Sequence, residues 1–345
     1  MSEETILVKG PALRVAIVGA FLARRWLGNH RSLFLAPDSL DALPATILAR
    51  PDHMRFQAEI GLGLDALIKA AGAKPAFAPS YKSASGPLNL PFAPIGQSQG
   101  GVEFQHFWMR ANNAAPQADL LAFSPAIVLE QSDDNPSLQA LQKSAPPFGL
   151  ELQASQYVRG ILGLAASAGA VVQAADQELP KADLTIDCAG VAAPSWAQGS
   201  LSLLEEQALP GLEWQVSVNA VRRFVALSAD LSNHANEARE YTRLARQEAE
   251  RIADMEALLS ATDPRETERP ALRRKVELFE ACGRIPTQDF EVFTPPEWLA
   301  ALWGRDLRPR RYDRMADRLP QAQLMNWIAD LQRQCEQLNR KREMV

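Results

Sequence analysis

The feature that most constrains the fold of this chain is the stretch from Thr5 to Asp38, where apolar run, turn, helix-forming run and second apolar run follow without interruption. Thr5-Ile6-Leu7-Val8 stops at Lys9-Gly10-Pro11, Ala12 to Leu27 are helix formers, and Ser32-Leu33-Phe34-Leu35-Ala36 ends at Pro37-Asp38. Pro11 suits the first helical position, where its missing N–H leaves no bond unmade. Strand, helix and strand in this order make a βαβ opening. Further on, a helix is expected around Ser155 to Ala168, followed by short strands at Ala170 to Gln173 and Ala182 to Asp187, so the front two thirds reads as α/β. The segment 75–101, with Pro75, Pro79, Pro87, Pro91 and Pro94, reads as a long irregular loop or edge hairpin.

Past Asn236 the composition shifts to Ala, Glu, Arg and Leu. A long helix is predicted from Asn236 to Ser260, supported by pairs such as Arg246 with Glu250 at the i, i+4 spacing. Another is predicted over Pro320 to Asn339, where Leu324, Ile328, Leu331, Cys335 and Leu338 form a stripe suited to core packing. The expected division is an α/β domain over 1–232, with its last part at about 191–232 reduced, and a helical part over 233–345 packed on it.

Hydrophobic residues at 47% and charged residues at 22% are ordinary for a chain that buries a core. The formal charge of -5 and pI near 5.6 argue against nucleic acid as a partner, which needs a basic face. The late basic clusters, Arg308 to Arg314 and Arg340 to Arg342, read as solvated surface. Cys188, Cys282 and Cys335 are too scattered for a zinc site or a disulfide framework, so no metal is expected. No apolar run is long enough to span a membrane, and a cytoplasmic location is expected. The histidines His30, His53, His106 and His234 are dispersed and match no catalytic motif.

The turn after the first strand is where a dinucleotide-binding fold carries G-x-G-x-x-G, whose glycines make the turn, admit the pyrophosphate and let helix and strand pack closely. Here the six residues are Lys9-Gly10-Pro11-Ala12-Leu13-Arg14. All three required glycines are replaced. Burying Arg14 unpaired would cost several kcal/mol, which predicts a departure of the local geometry.

The chain nevertheless resembles the flavin-dependent tryptophan halogenases along most of its length. Val8 to Arg25 is similar to the family's glycine-turn and alanine-rich helix, and Ala45-Thr46-Ile47 resembles the end of its G-E-A-T-I-P segment. Phe104-Gln105-His106-Phe107-Trp108-Met109-Arg110 resembles its F-H-H-Y-W-L-R strand, and Ala182 to Gly190 its A-D-L-F-I-D-C-S-G stretch near the flavin. Glu240-Tyr241-Thr242-Arg243, Gly283-Arg284-Ile285-Pro286 and Arg308 to Asp317 resemble later family motifs.

The resemblance implies an FAD/NAD(P)-binding Rossmann-like domain of the flavoprotein monooxygenase type with a C-terminal helical part. It implies FAD as the cofactor, held weakly or not at all by this chain, with Gly10, Asp187 and Gly190 as the residual binding positions. The family's lysine, which lies beside the substrate indole, falls by ungapped reading at Ala76; Lys74 and Lys82 are its only neighbouring substitutes. The partner glutamate has no counterpart, since Glu237 and Glu240 read as helix surface. Leu212 to Ser217 echoes the family's W-x-W-x-I-P signature, and Ser228 to Ser232 its G-D-A-A-G segment, both incompletely. The chain is also shorter than typical members, with the shortfall between Gly190 and Asn236. No catalytic residue is therefore assigned.

Three functions follow as expectations. The leading one is a non-catalytic partner or binding subunit of an active flavin-dependent halogenase, with a homodimer as the other assembly. The alternative is a residual FAD-dependent halogenase or monooxygenase acting on tryptophan, indole or another aromatic. A third is a binder of an aromatic small molecule in a cleft lined by Trp108, Trp196 and Trp214.

Overall fold

The computed structural model describes residues 4–26, 31–132, 141, 146–197, 199–205, 208–228 and 235–340. Strand β1 (Glu4–Gly10), helix α1 (Ala12–Trp26) and strand β2 (Arg31–Pro37) form the expected βαβ opening, with β1 and β2 parallel from Glu4↔Arg31 to Gly10↔Pro37. Strand β3 (Thr46–Ala49) and the short helices α2 (His53–Ile60) and α3 (Leu64–Ala71) follow, and β4 (Lys74–Ala76) begins an excursion. That excursion holds a hairpin of β5 (Ser80–Tyr81) and β6 (Leu88–Asn89), then α4 (Phe104–Ala114) and α5 (Pro125–Glu130). The chain returns through β7 (Gly149–Gln153), α6 (Ala154–Ser167), β8 (Val171–Val172), β9 (Leu184–Val191), β10 (Trp196–Ala197), β11 (Ser200–Leu204), α7 (Leu212–Leu227) and the long α8 (Ala235–Ser260). Helices α9 (Pro270–Cys282), α10 (Pro295–Gly304) and α11 (Gln321–Arg340) complete it.

Two compact units result, one of residues 1–74 with 149–250 and one of residues 75–148 with 251–345. This division differs from the expected 1–232 and 233–345, because the segment after β4 joins the C-terminal helices rather than the strands that flank it in sequence.

The first unit is built on a six-stranded sheet in the order β10-β11-β9-β1-β2-β8, parallel except for β10 at one edge. Central β1 is covered on both faces, with Ile6, Leu7 and Val8 all buried, as an inner strand of a parallel sheet must be. Helix α1 is buried on nearly every side because it packs against β2, α6 and α7. Gly19 lets it lie directly on β2: a Cβ there would stand 2.6 Å from the Leu35 side chain. The second unit is chiefly helical. The Leu324, Ile328, Leu331 and Cys335 stripe of α11 is buried as predicted, with Leu338 half-buried at its end.

One expectation is corrected here. Phe104 to Arg110 is not a strand but the start of α4. Its buried Phe104, Phe107, Trp108 and Ala111 recur at helical spacing, and packing that stripe against α11, where Trp327 meets Phe104 and Phe107 edge-on, decides the matter. The segment 75–101 is ordered loop around the β5–β6 hairpin, with Phe77, Leu90, Phe92 and Ile95 buried. Among the described residues no helix is long and apolar enough to cross a membrane, and the three cysteines are free.

Candidate functional site

The turn between β1 and α1 is tied to neighbouring strands and helices by contacts from within the chain. Gly10 has φ +117°, and a Cβ on it would lie 2.8 Å from the Ala189 amide nitrogen. Its glycine character therefore serves the close approach of β1 to β9. Pro11 opens α1 without an N–H to offer, and its carbonyl accepts the first helical bond from Val15 N at 3.0 Å.

Arg14, in the first turn of α1, is fully buried. Its Nε and Nη2 donate to the two carboxylate oxygens of Glu213, at 2.5 and 2.8 Å. Nη1 donates to the carbonyl oxygens of Cys188, at 3.3 Å, and Leu204. The guanidinium thus joins the N-terminal turn of α1 to that of α7 and to the ends of β9 and β11. The charge is buried but paired, in the two-pronged geometry that suits arginine and carboxylate. Glu213 is well placed for this: it sits in the first turn of α7, where backbone N–H groups favour a negative charge. The Cys188 thiol alongside is pushed well up by burial, so it is an inert core group.

Gly10, Asp187 and Gly190, singled out from the sequence, are brought together at the carboxyl ends of adjoining parallel strands, with Lys9 in register with Asp187. Open α/β sheets bind ligands beyond such strand ends. Each of the three also has a structural task. Asp187 accepts a hydrogen bond from Ala189 N at 2.9 Å, and Gly190, at φ +82°, leaves 2.5 Å between a hypothetical Cβ and the Leu204 carbonyl oxygen. A flavin pyrophosphate needs open backbone N–H groups and empty space over the turn. With Pro11 lacking the donor and Arg14 standing at the third glycine position, these residues do not fit that group.

The segment around Ala76, where the resemblance led the family's lysine to be expected, is closed in a different way. Ala76 is 6% exposed, and the next two amides, Phe77 N and Ala78 N, donate to Glu130 Oε2 at 2.6 and 3.0 Å. Lys74 and Lys82 are exposed to solvent. Glu240 pairs with Arg243 on the surface of α8, which lowers its pKa, and Glu237 lies in that helix's first turn; neither joins a site. His106 is buried, accepts a hydrogen bond at Nδ1 from Asp313 N at 3.2 Å, and has its pKa lowered chiefly by burial.

The three tryptophans do not line one cleft. Trp108 packs edge-on to Trp303 and donates to Ala118 O, and Trp214 packs on Phe56 and donates to Tyr157 Oη. Trp196 borders a cavity beside α8. Arg246 does not pair with Glu250 as expected, and forms no hydrogen bond or ion pair among the described residues. No cluster of three metal-ligating side chains occurs among the described residues. His30, His234, Lys341, Arg342 and most of the Ser228 to Ser232 echo lie outside them.

Glu213 and Glu130 are the residues that sequence reasoning left without a role. A buried arginine in an apolar helix signals that a carboxylate partner exists, but its location 199 residues away is set only by tertiary packing.

The family model for tryptophan halogenases matches residues 197–321. Among solved structures, the fold is similar to BrvH, a flavin-dependent halogenase from Brevundimonas sp. BAL3, with a TM-score of 0.84 at 17% identity over 99% of this chain and 97% of that one. It is similar to Xcc4156, a flavin-dependent halogenase from Xanthomonas campestris, with a TM-score of 0.83 at 14% identity over 99% and 96%. A tryptophan 6-halogenase from Streptomyces toxytricini gives a TM-score of 0.74 at 10% identity over 98% of each chain. No curated protein matches by sequence.

Proposed function

We propose that this chain is a non-catalytic member of the tryptophan halogenase family, acting as a partner or binding subunit of an active flavin-dependent halogenase. The observation that carries the proposal is the Arg14–Glu213 pair inside the turn where the family places its flavin. A glycine turn binds pyrophosphate by leaving room and offering N–H groups. Here Pro11 offers no N–H, and Arg14 stands where the third glycine lets helix and strand pack, its guanidinium engaged with Glu213, Cys188 and Leu204. The buried Ala76 supports the same reading, because a methyl group neither donates a proton nor holds a halogen. Loss of one positioned proton donor lowers a rate by about 10² to 10⁴. Retaining the whole fold while closing both positions is what a protein selected for its surface would do.

The second reading, a halogenase or monooxygenase that takes FAD loosely and acts on tryptophan, indole or another aromatic, is favoured by the place of Gly10, Asp187 and Gly190 at the sheet's ligand-binding edge. When bound, FAD supplies the oxygen chemistry of the family; this chain's own contribution would be limited to orientation by those strand ends.

Flavin titration of the purified chain separates the two. Colourless protein with no saturable FAD response supports the first reading, and a yellow preparation or micromolar FAD binding overturns it in favour of the second. The partner role is tested by co-elution with flavin halogenases encoded beside it. Failure to co-elute with any of them removes the partnership.

A further inference from the structure

The first unit contains a second feature independent of the flavin turn, on the long helix α8. A cavity of about 520 Å³ lies between the exposed face of that helix and the edge strand β10. Its wall carries Arg239, Arg243 and Arg246, spaced i, i+4 and i+7 so that they share one face and extend roughly 10 Å along the axis. Arg239 is held by Ala235 O and Asn236 Oδ1, and Arg243 by Glu240 and Gln247. Arg246 is exposed and has all its donors open among the described residues. Glu250 marks the far end of the positive stripe.

Against this wall stands Trp196, 3% exposed and fixed edge-on to Phe224. Its Nε1–H is buried with no hydrogen-bond partner. A buried donor left unpaired forfeits its solvation, and unsatisfied buried groups in a native fold call for a reason. An acceptor supplied from the cavity would satisfy it. Arginine without a carboxylate partner next to an indole N–H without an acceptor is a pairing of donors only, and donors select an oxyanion.

We propose that this cavity binds a small molecule through a phosphate or carboxylate group, with Arg246 as the principal charge, Arg243 and Arg239 as supporting field, and the Trp196 indole N–H as the second donor. The size of the cavity suits a small ligand rather than a polymer, and the overall charge of -5 disfavours a polyanion.

Sodium phosphate and sodium acetate, titrated into the full chain against sodium chloride at matched ionic strength, test the proposal by calorimetry and tryptophan fluorescence. Saturable binding of phosphate or acetate that chloride does not reproduce is expected, and the stronger of the two identifies the ligand group. Arg246→Ala should weaken binding about tenfold or more and Trp196→Phe by a smaller factor, while Arg310→Ala leaves it unchanged. Circular dichroism checks that each variant folds, and Arg246→Lys, which alters no packing, should retain part of the affinity. Identical titrations with chloride, or unaltered affinity in both Arg246 variants, would overturn it. So would affinity lost on Lys9→Ala instead, which would move the site to the βα turn, or Arg246-dependent binding of an oligonucleotide or anionic vesicles without binding of either small anion.

Discussion

The βα turn of the first unit and the Ala76 segment of the second depart from the chemistry implied by the family in opposite ways. At the turn, an added charge is buried, and a second residue, Glu213, is required to make that tolerable. At Ala76 a functional group is simply absent, and the backbone beside it is tied by Glu130. Burying an ion at the turn needs two residues that fit each other, so the turn depends more on tertiary packing than the Ala76 segment does.

The largest expected effect therefore belongs to the pair at the turn. Glu213→Ala strands a buried guanidinium, and an unfolding free energy lowered by about 3–5 kcal/mol is expected in urea denaturation. Arg14→Met combined with Glu213→Leu should recover most of that loss, because an apolar pair needs no desolvation. A single-variant cost below about 1 kcal/mol would show that the pair does not organise the turn, and would erase the contrast with Ala76.

Next in size is Ala76→Lys, which forces an ammonium into a buried site. A loss of about 2–4 kcal/mol is expected by thermal denaturation, with no gain of bromination of indole in the presence of FAD, a flavin reductase and bromide. Appearance of brominated indole would mean that the segment is an active site lacking one atom group rather than a closed one. Gly10→Ala should cost about 1–3 kcal/mol, since it combines a positive φ with a Cβ pressed onto Ala189 N. Glu130→Gln keeps one acceptor for Phe77 N and Ala78 N but loses its charge, and about 1 kcal/mol is expected.

The smallest effect is one of pH and belongs to His106. Burial lowers its folded pKa below the ordinary 6.5. The unfolded chain then binds the proton more readily, so stability falls as pH drops from about 6.5 towards the folded value and returns as pH rises. His106→Gln should flatten that part of a stability–pH curve. A curve unchanged by the substitution would assign the acid sensitivity to other groups.

Legibility in the sequence followed the range of the interactions involved. The βαβ opening, α6, α8 and α11 were legible because strand and helix periodicities are properties of neighbouring residues. The Phe104 segment shows how a resemblance misleads: its 104, 107, 108, 111 spacing is helical, whatever a similar motif does elsewhere. The division into units was not legible, since residues 75–148 join 251–345 by packing across a long gap in sequence. In the candidate site, Gly10, Asp187 and Gly190 could be singled out from the resemblance, whereas the structural tasks they perform, set by contacts with Ala189 and Leu204, could not.

By itself the sequence determined that this chain is an α/β protein with a βαβ opening, and that Lys9, Pro11 and Arg14 occupy the turn where a dinucleotide-binding fold carries glycines. Only the tertiary structure decided what those replacements do. A local pattern records which charge enters a helix, but whether it is expelled, strained or paired depends on a partner delivered by folding. For Arg14 that partner is Glu213, and the pairing fixes the start of α1 to the start of α7.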